Sequence, residues 1–167
     1  MTVLSINVNK FALLRNARGT DYPNLIDICK KCIKFGAEGI TVHPRPDERH
    51  TKFSDLSEIS NLTNKTNQVE FNIEGYPSEY FIKEVIKNHP NQVTLVPDPP
   101  DAITSSFGWD CKLNKNLLKE VVKEFHLNKI RVSLFVSPSI KNLENLSDIG
   151  VDRVELYTFD YAKNFMS

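Results

Sequence analysis

Apolar and polar positions along the chain follow two periods. Short runs rich in β-branched residues predict strands at Val3–Val8, Gly39–His43, Val69–Ile73, Gln92–Val96, Ile130–Val136 and Val151–Tyr157. Helical spacing fills the gaps. Leu25, Ile28, Cys29, Cys32 and Ile33 form one apolar stripe, with Pro23 suited to the first turn and Gly36 as its stop. Ser54 is placed to cap a short helix reaching about Leu62, and Ser78 followed by Glu79 opens another that Pro90 ends. Leu117–Phe125 is amphipathic, and Ser139–Leu146 begins a fifth helix. The segment 16–21 reads as a polar turn and Pro97–Asp110 as a long loop, and Phe159–Ser167 trails off. Strands alternating with helices predict repeated βα units on a parallel sheet, in one domain.

Length changes that picture. At 167 residues the chain falls short of the ~200 usual for eight βα units. Charge narrows the partners. Twenty-one Lys and Arg balance 21 Asp and Glu, so no global field draws nucleic acid or an anionic membrane. No apolar run approaches the ~20 residues of a membrane span, and Met1–Asn7 lacks the pattern of an export signal. Three cysteines without framework spacing suit a reducing compartment, so the expectation is a cytoplasmic protein. Cys29 and Cys32 have the spacing of half a zinc site, but they fit the apolar stripe, and no metal or nucleotide motif occurs.

The polar residues cluster where strands end: Asn7 and Asn9, His43 and Arg45, Asn72 and Glu74, Asp98 to Thr104, Glu155 and Thr158. In parallel α/β folds ligands bind at that edge. In Gly39–His50 a strand delivers His43, two prolines stiffen the loop, and Arg45, Arg49 and His50 follow. His exchanges protons near neutral pH, and the Arg fork suits phosphate oxygens. Alternation puts Glu70, Asn72 and Glu74 on one strand face, with Glu74 at the mouth of any barrel. A sheltered carboxylate there acts as acid or base. Arg15 and Arg18 flank a turn that either grips an anion or is plain basic surface. Glu155 faces inward, and is either functional or paired with Arg131 or Arg153.

These runs resemble one family, the pyridoxine 5′-phosphate synthases (PdxJ). The opening pattern is Ile6–Gly19, with Asn7, Asn9, Lys10 and the Leu-Arg-Asn-Ala-Arg-Gly run. The Gly-Ile-Thr-Val-His block is complete at Gly39–His50. Asn72-Ile73-Glu74, Leu95-Val96-Pro97 through Thr104, Val132–Phe135 and Glu155–Thr158 follow in order. The resemblance implies a TIM-barrel-type α/β enzyme of vitamin B6 synthesis that needs no metal or organic cofactor and assembles as a homo-octamer. It implies condensation of 1-deoxy-D-xylulose 5-phosphate with 3-amino-2-oxopropyl phosphate. On that basis His43 and Glu74 match proton acceptors, and Glu155 a transition-state stabiliser. Asn7 and Arg18 match contacts to the amino ketone phosphate. Asn9, Lys10, Arg45, His50 and Thr104 match contacts to the sugar phosphate, with Asn9-Lys10 where some members carry Asp-His.

The sequence also departs from the family pattern. After Tyr157-Thr158 the family usually has Gly-Pro/Cys-Tyr-Ala; here Phe159-Asp160-Tyr161-Ala162 stands. About six of eight βα units are present, so the family's Gly-His-Gly proton-donor loop and its last phosphate loop have no counterpart. Two readings stay open: a synthase seen as a shortened chain, and a non-catalytic remnant that binds phosphorylated sugar or a partner chain.

Overall fold

A computed structural model of the chain describes residues 2–66, 68–98 and 107–165. Six parallel strands form one sheet in chain order. They are β1 (Ser5–Asn7), β2 (Gly39–Val42), β3 (Glu70–Gly75), β4 (Gln92–Leu95), β5 (Arg131–Val136) and β6 (Arg153–Leu156). The helices are α1 (Asn9–Ala17), α2 (Leu25–Lys34), α3 (Leu56–Asn64), α4 (Glu79–Asn88), α5 (Lys115–Leu127), α6 (Ile140–Leu143), α7 (Leu146–Ile149) and α8 (Phe159–Asn164). The sheet curls until both edge strands line one hollow: Ser5 and Asn7 of β1 share a cavity with Arg153 and Glu155 of β6. The result is an incomplete β/α barrel.

All the predicted strands form, and most of the helices follow the expected signals. Asn24 caps α2 by accepting from the Asp27 N–H, so Pro23 lies before the cap rather than in the first turn. Ser78 caps α4 in the same way, and His89 ends it in the left-handed region just before Pro90. Three differences stand out. The expected fifth helix is broken into α6 and α7 around Glu144 and Asn145. The C-terminal segment contains α8, which buries nothing. The stretch before the polar turn is α1, a helix that buries only Ala12 and Arg15 and so carries no apolar stripe.

The two faces of the sheet differ in chemistry. Ile40, Val42, Phe71, Ile73, Val93, Leu95, Val132, Leu134 and Val136 point outward and pack with Leu56, Ile59, Phe81, Val85, Leu118 and Phe125 of the helices. The inner face is polar. In register it carries Ser5 and Asn7, Thr41, Glu70, Asn72 and Glu74, Gln92 and Thr94, Arg131 and Ser133, then Arg153 and Glu155. Barrel interiors are ordinarily filled by branched aliphatic side chains. Here hydrogen bonds do that work. Ser5 bonds Thr41 at 2.9 Å, Asn72 donates to Thr41 at 3.3 Å, and Thr94 and Gln92 donate to Asn72 Oδ1 at 3.1 and 3.3 Å.

Candidate active site

The loop after β2 carries the site's cations and is held by α1. Arg15 makes two bonds to Asp55, at 2.8 and 2.9 Å, with both side chains largely buried. Arg15 is therefore a buried brace, neither an anion grip nor plain basic surface. Asn16 Nδ2 donates to the carbonyls of Glu48 and His50 at 3.0 and 2.6 Å. Asn9 Oδ1 accepts from the His43 N–H at 2.8 Å and from the Thr51 hydroxyl at 2.9 Å. Arg45 is buried and paired with Asp98 at 3.2 Å. His50 lies edge-on to His43, ring centroids 5.8 Å apart.

Beside this loop, β3 presents Glu74. Gly75 follows it, and the Phe81 ring of α4 occupies the space a side chain would need. His43 Nδ1 and Glu74 Oε2 are 3.9 Å apart, and both side chains are almost covered. Asn7 Nδ2 reaches the same Glu74 oxygen at 3.5 Å, and Asn7 Oδ1 accepts from the Asn9 N–H.

Electrostatics work against an ion pair between His43 and Glu74. Burial, then the Arg45 guanidinium and the neighbouring His50, push His43 down to about 3. Burial, then the negative charges of Glu155 and Asp98, push Glu74 well above the usual carboxylate range. The 3.9 Å approach is thus no salt bridge at neutral pH. Burial also raises Glu155, though β6 is an edge strand with exposed residues, so Glu74 is the more strongly perturbed of the two. His50 is lowered by burial and by Arg45. Arg131 and Arg153 do not pair with Glu155. Both reach Glu70 instead, Arg131 in two-pronged fashion. That overturns the paired alternative for Glu155.

The structure therefore gathers Asn7, Asn9, His43, Arg45, His50, Glu74 and Glu155 at the C-terminal mouth of the sheet. Lys10 and Arg18 are exposed at either end of α1, with no described bond to that group. Thr104 lies outside the described residues. A cavity of about 320 Å³ opens beside His43 and Arg45, walled by Phe53, Tyr76 and Tyr80. Sequence reasoning missed this aromatic wall. Its only trace was the four-residue spacing of Tyr76 and Tyr80 across the start of α4. Among the described residues no group of three His, Cys, Asp or Glu side chains is arranged to hold a metal ion, and no helix is long and apolar enough to cross a membrane.

Fold and site together define a β/α-barrel-type protein with paired acid–base groups and cationic side chains at the strand C-termini. The family model of the pyridoxal phosphate biosynthesis protein PdxJ matches residues 4–167, and the chain belongs to this family. The pyridoxine 5′-phosphate synthase of Bacteroides fragilis (strain YCH46) is 54% identical over 162 residues, which is 97% of this chain and 67% of that protein. The Christiangramia forsetii protein of the same name is 52% identical over 165 residues, 99% of this chain and 68% of its own length. The chain thus spans about two thirds of these relatives. A solved flavocytochrome b2 variant with sulfite bound shares the fold alone, with a TM-score of 0.54 at 17% identity, over 92% of this chain and 41% of that one.

Proposed function

We propose that the chain, a single βα domain, acts as a pyridoxine 5′-phosphate synthase, joining 1-deoxy-D-xylulose 5-phosphate to 3-amino-2-oxopropyl phosphate. The observation that carries this is the close approach of a neutral His43 and a Glu74 carboxyl of raised proton affinity, beside Glu155 and the Arg45 loop. Adding an amine to a ketone, losing water and closing a ring all move protons at carbon or oxygen. A neutral imidazole accepts a proton, and a carboxylate whose proton affinity is raised is the stronger base for it. The substrates' phosphates supply the missing drive. A dianion near Arg45 and His50 offsets the cations that depress His43, so the imidazole becomes a stronger base when substrate is bound.

In this reading His43 and Glu74 are proton acceptors in successive steps, and Glu155 stabilises positive charge that develops in the transition state. Asn7 and Arg18 contact the amino ketone phosphate. Asn9, Lys10, Arg45, His50 and Thr104 contact the sugar phosphate. A homo-oligomer is part of the proposal, supported by Phe11, Leu13 and Leu14, which α1 leaves exposed. Three free cysteines suit a cytoplasmic setting. The test is incubation of the chain with both phosphorylated substrates and detection of pyridoxine 5′-phosphate by mass. Product that disappears in His43→Ala is expected. No product from the folded chain overturns the proposal.

A further inference from the structure

The end of β2 is held in an unusual way. In a parallel ladder the His43 N–H would bond the Val8 carbonyl, the next acceptor after the Val8 N–H to Thr41 carbonyl bond at 3.1 Å. That carbonyl is taken, because it accepts from Phe11 and Ala12 in the first turn of α1. The side chain of Asn9 replaces it, with Oδ1 2.8 Å from the His43 nitrogen. A backbone N–H only donates, so the amide orientation is forced. Thr51 Oγ1 donates to the same oxygen at 2.9 Å from a fully buried position. With Oδ1 doubly engaged, the Nδ2 hydrogens are left over, and no described residue accepts from them.

We propose that Thr51 is a positioning residue for this site: through Asn9 Oδ1 it fixes the strand end that carries His43 and leaves the Asn9 Nδ2 hydrogens for a phosphate oxygen of the substrate. The second part rests on the synthase reading; the first does not. The test compares Thr51→Val, which keeps the shape and removes the hydroxyl, with Thr51→Ser, which keeps the hydroxyl. One readout is the hydrogen-exchange rate of the His43 amide, and the other is KM for the sugar phosphate. Thr51→Val speeds exchange and raises KM about fivefold, as loss of one hydrogen bond implies, and Thr51→Ser restores both. In an Asn9→Ala background Thr51→Val adds nothing further to either. Equal behaviour of the Val and Ser variants, or full additivity with Asn9→Ala, overturns the proposal. If the parent chain turns over no substrate, the synthase reading fails, and the His43 exchange rate still decides the role of Thr51.

Discussion

Glu70 and Glu74 lie on one face of one strand, two pleat repeats apart with Asn72 midway between them, and look into the same hollow. Their surroundings are opposite. Glu70 meets Arg131 through two bonds and Arg153 at 3.6 Å, and these cations hold its carboxyl below the usual range. Glu74 meets a depressed His43, an Asn amide and two further carboxylates, and is pushed up. A barrel interior lined by polar groups therefore does two jobs along its axis. At the N-terminal end charge is matched and structural. At the C-terminal end it is mismatched, and the mismatch raises the proton affinity of the Glu74 carboxyl. Mismatch of this kind, inside a cleft, is the setting in which acid–base groups are concentrated.

Glu74→Gln tests the contrast most severely. It keeps shape and removes the ionisable carboxyl, so kcat falls by about 10²–10⁴-fold, the usual worth of a general acid or base. Stability moves the other way. A carboxyl raised in the folded state contributes fully below its unfolded value near 4.5 and loses that contribution as pH rises. The Gln variant is then as stable as the parent at pH 3 and more stable at pH 8. Melting curves at the two pH values check this. A variant less stable than the parent at pH 8 contradicts the mismatch.

Glu155→Gln has a smaller effect, with its own direction. Burial is the main cause of the Glu74 shift, and the Glu155 charge comes second. Removing that charge lets Glu74 ionise at lower pH without returning it to the ordinary range. Carbon-13 NMR of the Glu74 carboxyl reads the shift directly. The midpoint of the Glu74 curve moves to lower pH in the variant. An unmoved Glu74 would show that burial alone raises it.

Much of this arrangement was legible in the sequence. Strict alternation put Glu70, Asn72 and Glu74 on one face, and the run of conformationally stiff residues up to His43 marked a strand that delivers His43 at its end. The partners were not legible. Glu70 finds Arg131 across 61 positions, and Arg15 finds Asp55 across 40. No local pattern distinguishes Arg15, a brace, from Arg18, which stays exposed three residues on. Helix α1 was missed for a related reason. Its function is to hold the His43–Asp55 loop through Asn9, Arg15 and Asn16, and a helix that contributes polar contacts carries no apolar period.

The last test is the mirror of the first. Glu70→Gln removes a carboxylate that is matched, so the prediction reverses in sign and shrinks in size. A carboxyl lowered in the folded state contributes above its unfolded value near 4.5, and that contribution is lost as pH falls. The variant is less stable than the parent at pH 7, and the difference closes toward pH 3. Glu70 is 43% exposed, so solvent screens the pair and the loss is held to about 0.5–1 kcal/mol. Turnover is kept, because Glu70 touches none of the groups at the mouth. Chemical denaturation at the two pH values measures the stability, and the substrate assay measures the turnover. The two glutamines must then move stability in opposite directions at neutral pH. If both destabilise alike, burial rather than charge matching sets the difference between the two ends of the strand.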